Sequence, residues 1–497
     1  MKTAIIKSVF AAFVVSALMS CDSILSSDTL VQGGSPINKE IKVRSDVRFE
    51  TSDFDVTEDM ALYYAKSNKK EYKEVSIQSV EKDGIAVYYV VNFDDGWMVI
   101  PADKRIQPVV GEEETGHLDP GTVENPGVKV WLDDLANTIA MVKERGLDKY
   151  DQDNVLMWTE FQAYSDLANN KTRQLRDSDW VATTWVKITN TTTSSYVSAD
   201  TGHLIATKWG QSTPWNCSLP IDPGASAGDT TRFLTGCVPT AVAQLLYYFH
   251  YHGGTPNDLW HTITPSISSV NSDGSYSLSV SKSNHTNNSS RWSQMHLTKD
   301  VLPVIGDSTQ VCYNGFRYVS NLMLDIGVRM YAHYSTTFTG TALASPAYLT
   351  PCGIGCQKTT YDYDIVRSNL VSGDPVLIVA STPGNSNYHA WIIDGCYDKT
   401  TTTTTISTYY QFDPSATYPS NAVYMTEDEV YSAYPDAYDG MQIIDSSYSN
   451  YSRYLLMNFG WDGDYDSGHY SVLGTGWTPN YTSNKQIYYN IWTSQLN

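Results

Sequence analysis

Thr235-Gly236-Cys237-Val238-Pro239-Thr240 runs directly into Ala241-Val242-Ala243-Gln244-Leu245-Leu246, a stretch of helical character. A cysteine in the first turn of a helix faces unpaired backbone N–H groups and the positive end of the dipole, both of which favour a thiolate. Far downstream, Tyr388-His389-Ala390-Trp391-Ile392-Ile393-Asp394 sets a histidine at the edge of an apolar strand. Met457-Asn458-Phe459-Gly460-Trp461 then sets an asparagine ahead of aromatic residues. A thiol, an imidazole and an amide are the groups that nucleophilic acyl transfer needs. A lone cysteine is more often a small core residue; the helix-start position and the two partners tip this one toward chemistry.

In that chemistry Cys237 attacks the carbonyl, while His389 takes the thiol proton and returns one to the leaving amine. Asn458 would orient His389 by accepting its ring N–H, with Phe459 and Trp461 shielding that bond from water. An amide suffices there because the resting pair is expected to be thiolate and imidazolium. Upstream, Trp209-Gly210-Gln211 offers the Gln211 side chain as an oxyanion donor beside the Cys237 N–H. His250 and His252 close the Cys237 helix, where the dipole favours a cation and a structural role suffices. His203, His285 and His333 show no partner pattern.

The elements that must position these groups divide the chain. Lys2, Lys7 and the apolar run 9–19 form a secretory signal ending in Leu18-Met19-Ser20-Cys21, which resembles a bacterial lipobox with Cys21 as the lipidated residue. Residues 1–20 are thus expected as signal peptide, and 21–48 as a polar tether. Residues 49–170 mix helical spacing (55–67 and 130–144) with strands at 86–93 and 97–100 around the turn Asp94-Asp95-Gly96, forming a small α+β pro-domain. Residues 171–202 look like an exposed activation linker, basic and then rich in Thr and Ser. The remainder, 203–497, is the catalytic domain, with core strands at 376–380, 390–394 and 454–458.

Composition narrows the partners. The formal charge is −21, and only ten Lys or Arg follow residue 259, so no basic face suits nucleic acid. Membrane attachment is expected only through the lipid on Cys21. Of the seven cysteines, Cys217, Cys312, Cys352, Cys356 and Cys396 remain after Cys21 and Cys237, an odd number that leaves at least one free thiol. Cys352 and Cys356 suit a small disulfide or two free thiols better than half a zinc site.

Together, Trp209-Gly210-Gln211-x-x-Pro214-Trp215-Asn216, the Thr235–Gln244 run, His389–Gly395 and Asn458–Gly463 resemble the streptopain family of bacterial cysteine proteases. Tyr88–Phe93 and Trp97–Asp103 are similar to that family's inhibitory propeptide. The resemblance, over about residues 50–497, implies an α+β papain-like fold preceded by a small α+β propeptide domain. It implies a zymogen that hydrolyses proteins or peptides with Cys237, His389, Gln211, Asn458 and Trp461, and needs no metal or organic cofactor. It implies that the chain's own pro-domain inhibits it until cleaved. Two positions depart from the pattern: Tyr388 stands where a glycine is usual, and Phe459 where tryptophan is. A non-catalytic surface-binding lipoprotein on the same fold, or a cysteine-dependent acyl transferase, are the alternatives. The expected location is the cell envelope as an outer-membrane lipoprotein, or the exterior after maturation.

Overall fold

A computed structural model describes residues 41–43, 54–69, 72–144, 153–155, 157–158, 161, 185–226, 228–254, 259–286, 289–301, 314–381, 388–411, 442–471 and 485–494. The expected signal peptide, with Cys21, lies outside the described residues, as do Cys312 and linker residues 171–184. Chain contacts divide into two units. One gathers Met1–Asp46, Arg176–Thr192 and Thr404–Ser446. Within it, Ile41–Val43 pairs in parallel with Gln442–Ile444, so the expected tether contains a short strand. The other unit comprises Val47–Leu175, Thr193–Thr403 and Ser447–Asn497, and carries Gln211, Cys237, His389, Asn458 and Trp461.

The N-terminal part of that second unit opens with helix Glu58–Asn68. Its Thr57 cap accepts from the Met60 N–H at 3.3 Å, and Glu58 and Asp59 meet the positive end of the dipole. Val75–Lys82, Ile85–Phe93, Trp97–Pro101 and Gly111–Glu113 form an antiparallel meander. The expected hairpin at Asp94-Asp95-Gly96 is its middle turn. Helix Pro126–Glu144 follows. Asn125 caps it by accepting from the N–H groups of Gly127 (2.9 Å) and Val128 (3.3 Å).

That meander does not end at its own edge. Gly111–Glu113 pairs antiparallel with His469–Tyr470, which pairs in turn with Leu455 and Leu456. One sheet therefore runs through 75–82, 85–93, 97–101, 111–113, 469–470, 442–458, 389–411, 376–380, 486–493 and 354–360. Strand addition of this kind satisfies backbone groups that an edge would leave open. Aromatic packing seals the junction. Trp131 donates from Nε1 to the Ser471 carbonyl at 2.9 Å and meets the Tyr470 ring edge-on at 5.0 Å.

The central strands obey a period of two. Val376, Ile378, Ala380, Trp391 and Ile393 enter the core shared with Trp97, Trp131 and Tyr470. Leu377, Val379, Ala390 and Ile392 enter a second core beneath helices Cys237–Tyr251 and Asn314–Arg329. Both faces are covered, which explains why these strands are continuous apolar runs.

One stretch differs from expectation. Residues Trp185–Asp200, expected as linker, are a strand paired with His389–Gln411. Their threonines are β-branched, and that composition serves a pleated edge as well as a linker. Leu259–Val270 and Tyr276–Thr286 form a hairpin joined by His333–Tyr334, with Ile263 and Leu278 facing a small core around Phe233 and Tyr334.

The junction predicts a graded response at Trp131. Trp131→Phe, losing the hydrogen bond and part of the buried ring, should cost about 1–3 kcal/mol in urea unfolding. Trp131→Ala should cost about 3–5 kcal/mol. A Trp131→Ala protein as stable as the parent would show that the junction contributes nothing.

Candidate active site

Cys237 begins its helix, with Gly236 as the cap. Gly236 has φ 94°, and a Cβ there would meet Thr339 Cγ2 at 2.9 Å, so both backbone and space demand glycine. Pro239 lies in the first turn, where its missing N–H leaves nothing unpaired. The preceding segment is tied down on two sides. Thr235 donates to the Gln211 carbonyl at 3.0 Å, and Thr339 Oγ1 donates to the Leu234 carbonyl at 2.8 Å. Gln211 is thus fixed beside the helix start by its main chain.

The Cys237 sulfur is partly buried and meets the N–H of Ala390, the residue after His389. Burial pushes the thiol up, while the N–H groups of Ala390 and Val238 work in the opposite direction. His389 is 6% exposed, and burial lowers it from 6.5 to about 4. The Phe459 carbonyl, accepting from the ring, opposes that fall. Among the described residues Nε2 has no hydrogen-bond partner, so the bonded nitrogen is Nδ1 and the bare Nε2 is the basic one. Burial therefore works against both charges of the expected thiolate–imidazolium pair, while the N–H groups at the sulfur and the Phe459 carbonyl at the ring work for them.

Asn458 does not accept from His389. Its Nδ2 donates to the Thr207 carbonyl at 2.6 Å, and its Oδ1 accepts from Gln244 Nε2 at 2.9 Å and from the Gly460 N–H at 3.2 Å. Gly460's N–H and Phe459's carbonyl belong to one peptide group, so Asn458 reaches His389 through that amide. Gln244, fully buried, also accepts from Thr207 Oγ1 at 2.9 Å and from the Trp209 N–H at 3.3 Å. The ring stacked on His389 is Trp391, at 5.8 Å between centroids and 22° between planes. Trp461 is half-buried against the core containing Phe459 and Trp391. Tyr388 is 47% exposed.

Other expectations resolve differently. His250 stacks on Trp292 at 4.8 Å, and burial lowers its pKa, which works against the cation that the helix dipole favours. His203 does have a partner: its Nδ1 lies 3.0 Å from Oδ1 of the fully buried Asp394. Cys217 is in a disulfide whose partner lies outside the described residues. Cys356 and Cys396 are buried free thiols, and Cys352 is buried as well.

Gln244 was open to detection, since it is the one amide in a buried helical face two turns below Cys237. Asp466, whose Oδ1 accepts from the Phe459 N–H at 2.9 Å, was not. It sits among Asp and Gly residues that spell only a turn.

A helix-start thiol beside a histidine-bearing central strand, joined to an N-terminal α+β domain, defines a papain-like cysteine protease with a propeptide. Residues 209–470 match the Peptidase C10 family, and residues 55–139 match the Spi protease inhibitor family. The chain belongs to the Peptidase C10 family, the streptopain-type cysteine endopeptidases, and its N-terminal domain makes it a zymogen. Among solved structures it is similar to a mutant prointerpain A fragment of Prevotella intermedia. That pair shares 19% identity over 85% of this chain and 100% of the other, at TM-score 0.46. It is also similar to active wild-type interpain A of that organism, at 21% identity over 59% and 95% of the two chains and TM-score 0.35. No curated protein sequence matches it.

The depressed His389 pKa has a stability consequence. Between pH 6.5 and about 4 the unfolded chain takes up a proton that the folded chain refuses, so stability falls as pH drops through that window. The full loss is about 3 kcal/mol. His389→Gln should flatten this part of the unfolding free energy against pH; parallel curves for the two proteins would contradict it.

Proposed function

We propose that Cys237 is the nucleophile and His389 the general base of this endopeptidase, held latent by its own residues 49–170. The observation that carries the reading is the Cys237 sulfur meeting the backbone of the strand that presents His389. On release of the pro-segment, water reaches the pair and the thiol proton passes to Nε2. The thiolate adds to the scissile carbonyl. The resulting oxyanion accepts from the Cys237 N–H and the Gln211 amide. Imidazolium then protonates the leaving amine, and the acyl-enzyme remains. His389 next takes a proton from water, whose oxygen attacks the thioester and releases the acid and the free thiol. Asn458 supports the base through the Phe459–Gly460 peptide, and Trp461 closes the same wall against water.

Latency is supported by contact. Gly127, at the start of the Pro126–Glu144 helix, lies so close to Phe459 that a Cβ would fall 2.2 Å from its ring. The pro-domain thus presses on the residue whose carbonyl bonds His389. Export and anchoring through Cys21 rest on the lipobox alone. Cleavage in the part of the expected linker that precedes the Trp185–Asp200 strand would part the protease from that anchor.

Casein hydrolysis by the processed protein tests the assignment. Cys237→Ala and His389→Ala should each lower kcat by at least about 1,000-fold, and Gln211→Ala by about 100- to 1,000-fold. Separately expressed residues 49–170 should inhibit the processed enzyme. Wild-type hydrolysis by Cys237→Ala would end the nucleophile assignment, and absence of inhibition would end the latency assignment.

A further inference from the structure

Phe459 is fixed from both sides. Its carbonyl accepts from His389, and the N–H of the same peptide group, from Gly460, goes to Asn458 Oδ1. Its own N–H goes to Asp466 Oδ1 at 2.9 Å. Asp466 is only 3% exposed, and its Oδ2 is buried with no hydrogen-bond partner among the described residues. A buried carboxyl half-used in this way is costly in a fold that could have placed an amide there.

The loop that delivers it is strained. Asp462 and Tyr465 have φ of 62° and 66°, the left-handed region that side chains disfavour. The Asp464 N–H returns to the Trp461 carbonyl at 3.0 Å, and the Asp466 N–H to the Gly463 carbonyl at 3.2 Å. These turns bring residue 466 back beneath residue 459.

We propose that Asp466 is a positioning residue for His389, acting through the backbone of Phe459. With its acceptor in place, the Phe459 carbonyl cannot turn away, Nδ1 keeps its proton and Nε2 stays basic. Without it, the peptide pivots on the Asn458 bond alone and the two imidazole tautomers mix.

Burial raises Asp466 to about 8, Asp394 adds to the rise, and the Phe459 N–H, His203 and Lys208 oppose it, so an amide is a fair mimic of its uncharged form.

This inference rests on His389 being the base, and the experiment separates the two. Kinetics use the processed enzyme, and 15N chemical shifts of labelled histidines use the full-length chain. Asp466→Ala should lose about 10- to 100-fold in kcat with KM within twofold, and its His389 shifts should report mixed tautomers. Asp466→Asn keeps the acceptor and should restore the tautomer and neutral-pH kcat. An Asp466→Ala enzyme with wild-type kcat and an unmixed His389 tautomer would overturn the proposal. Should that variant not fold, Asp466→Leu, which fills the space but cannot accept the Phe459 N–H, is read in the same way, and wild-type kcat with an unmixed His389 tautomer would overturn the proposal. Activity surviving His389→Ala would sink the assignment of the base, while the tautomer readout would still report on Asp466.

Discussion

One buried peptide group, between Phe459 and Gly460, organises the site. Its carbonyl fixes the His389 tautomer, and its N–H binds the Asn458 side chain. Asn458 in turn accepts from Gln244, which rides on the helix that begins with Cys237. Nucleophile and base thus share a continuous set of amides, although 152 residues separate them in sequence. Such networks are worth most when every member is paired, because an orphaned buried donor costs about 1–3 kcal/mol. The Asn458 amide and the Gln244 carbonyl oxygen each have two partners or more.

The pro-domain meets this arrangement at two places. It extends the catalytic sheet by pairing Gly111–Glu113 with His469–Tyr470, and it lays Gly127 on the Phe459 ring. Both contacts bear on the segment 459–470, which also supplies Asp466. In the proposed mechanism latency then has an electrostatic side as well as a steric one. Burial pushes the thiol up and the imidazole down, and so works against both charges of the reactive pair. In that proposal, release of the pro-segment admits water and relaxes both shifts.

Much of this fold was legible in the sequence. Apolar runs at 376–380, 390–394 and 454–458 gave central strands because strands covered on both faces need no polar alternation. The helix after Cys237 was legible from its apolar spacing and its early proline. Trp185–Asp200 was not, since Thr and Ser serve exposed strands and linkers alike. The site divided the same way. Residue types and order pointed to Cys237 and His389, yet the partner of the imidazole is a main-chain carbonyl, which no side-chain pattern can announce. Asn458 drew notice for a bond that it does not make directly. Asp466 was hidden because an aspartate in a Gly-Asp turn has an ordinary local explanation.

Alkylation of Cys237 by iodoacetamide at pH 6.5, followed by peptide mass spectrometry, bears most directly on the coupling of burial to charge. Thiolate is the reacting species, so the rate counts the ionised fraction. The rate should rise by at least about 100-fold when the pro-segment is removed, as a thiol pushed above its ordinary value becomes one half of an ion pair. Equal rates before and after removal would mean that the N-terminal domain leaves the sulfur's ionisation and access unaltered, and the electrostatic description of latency would be wrong.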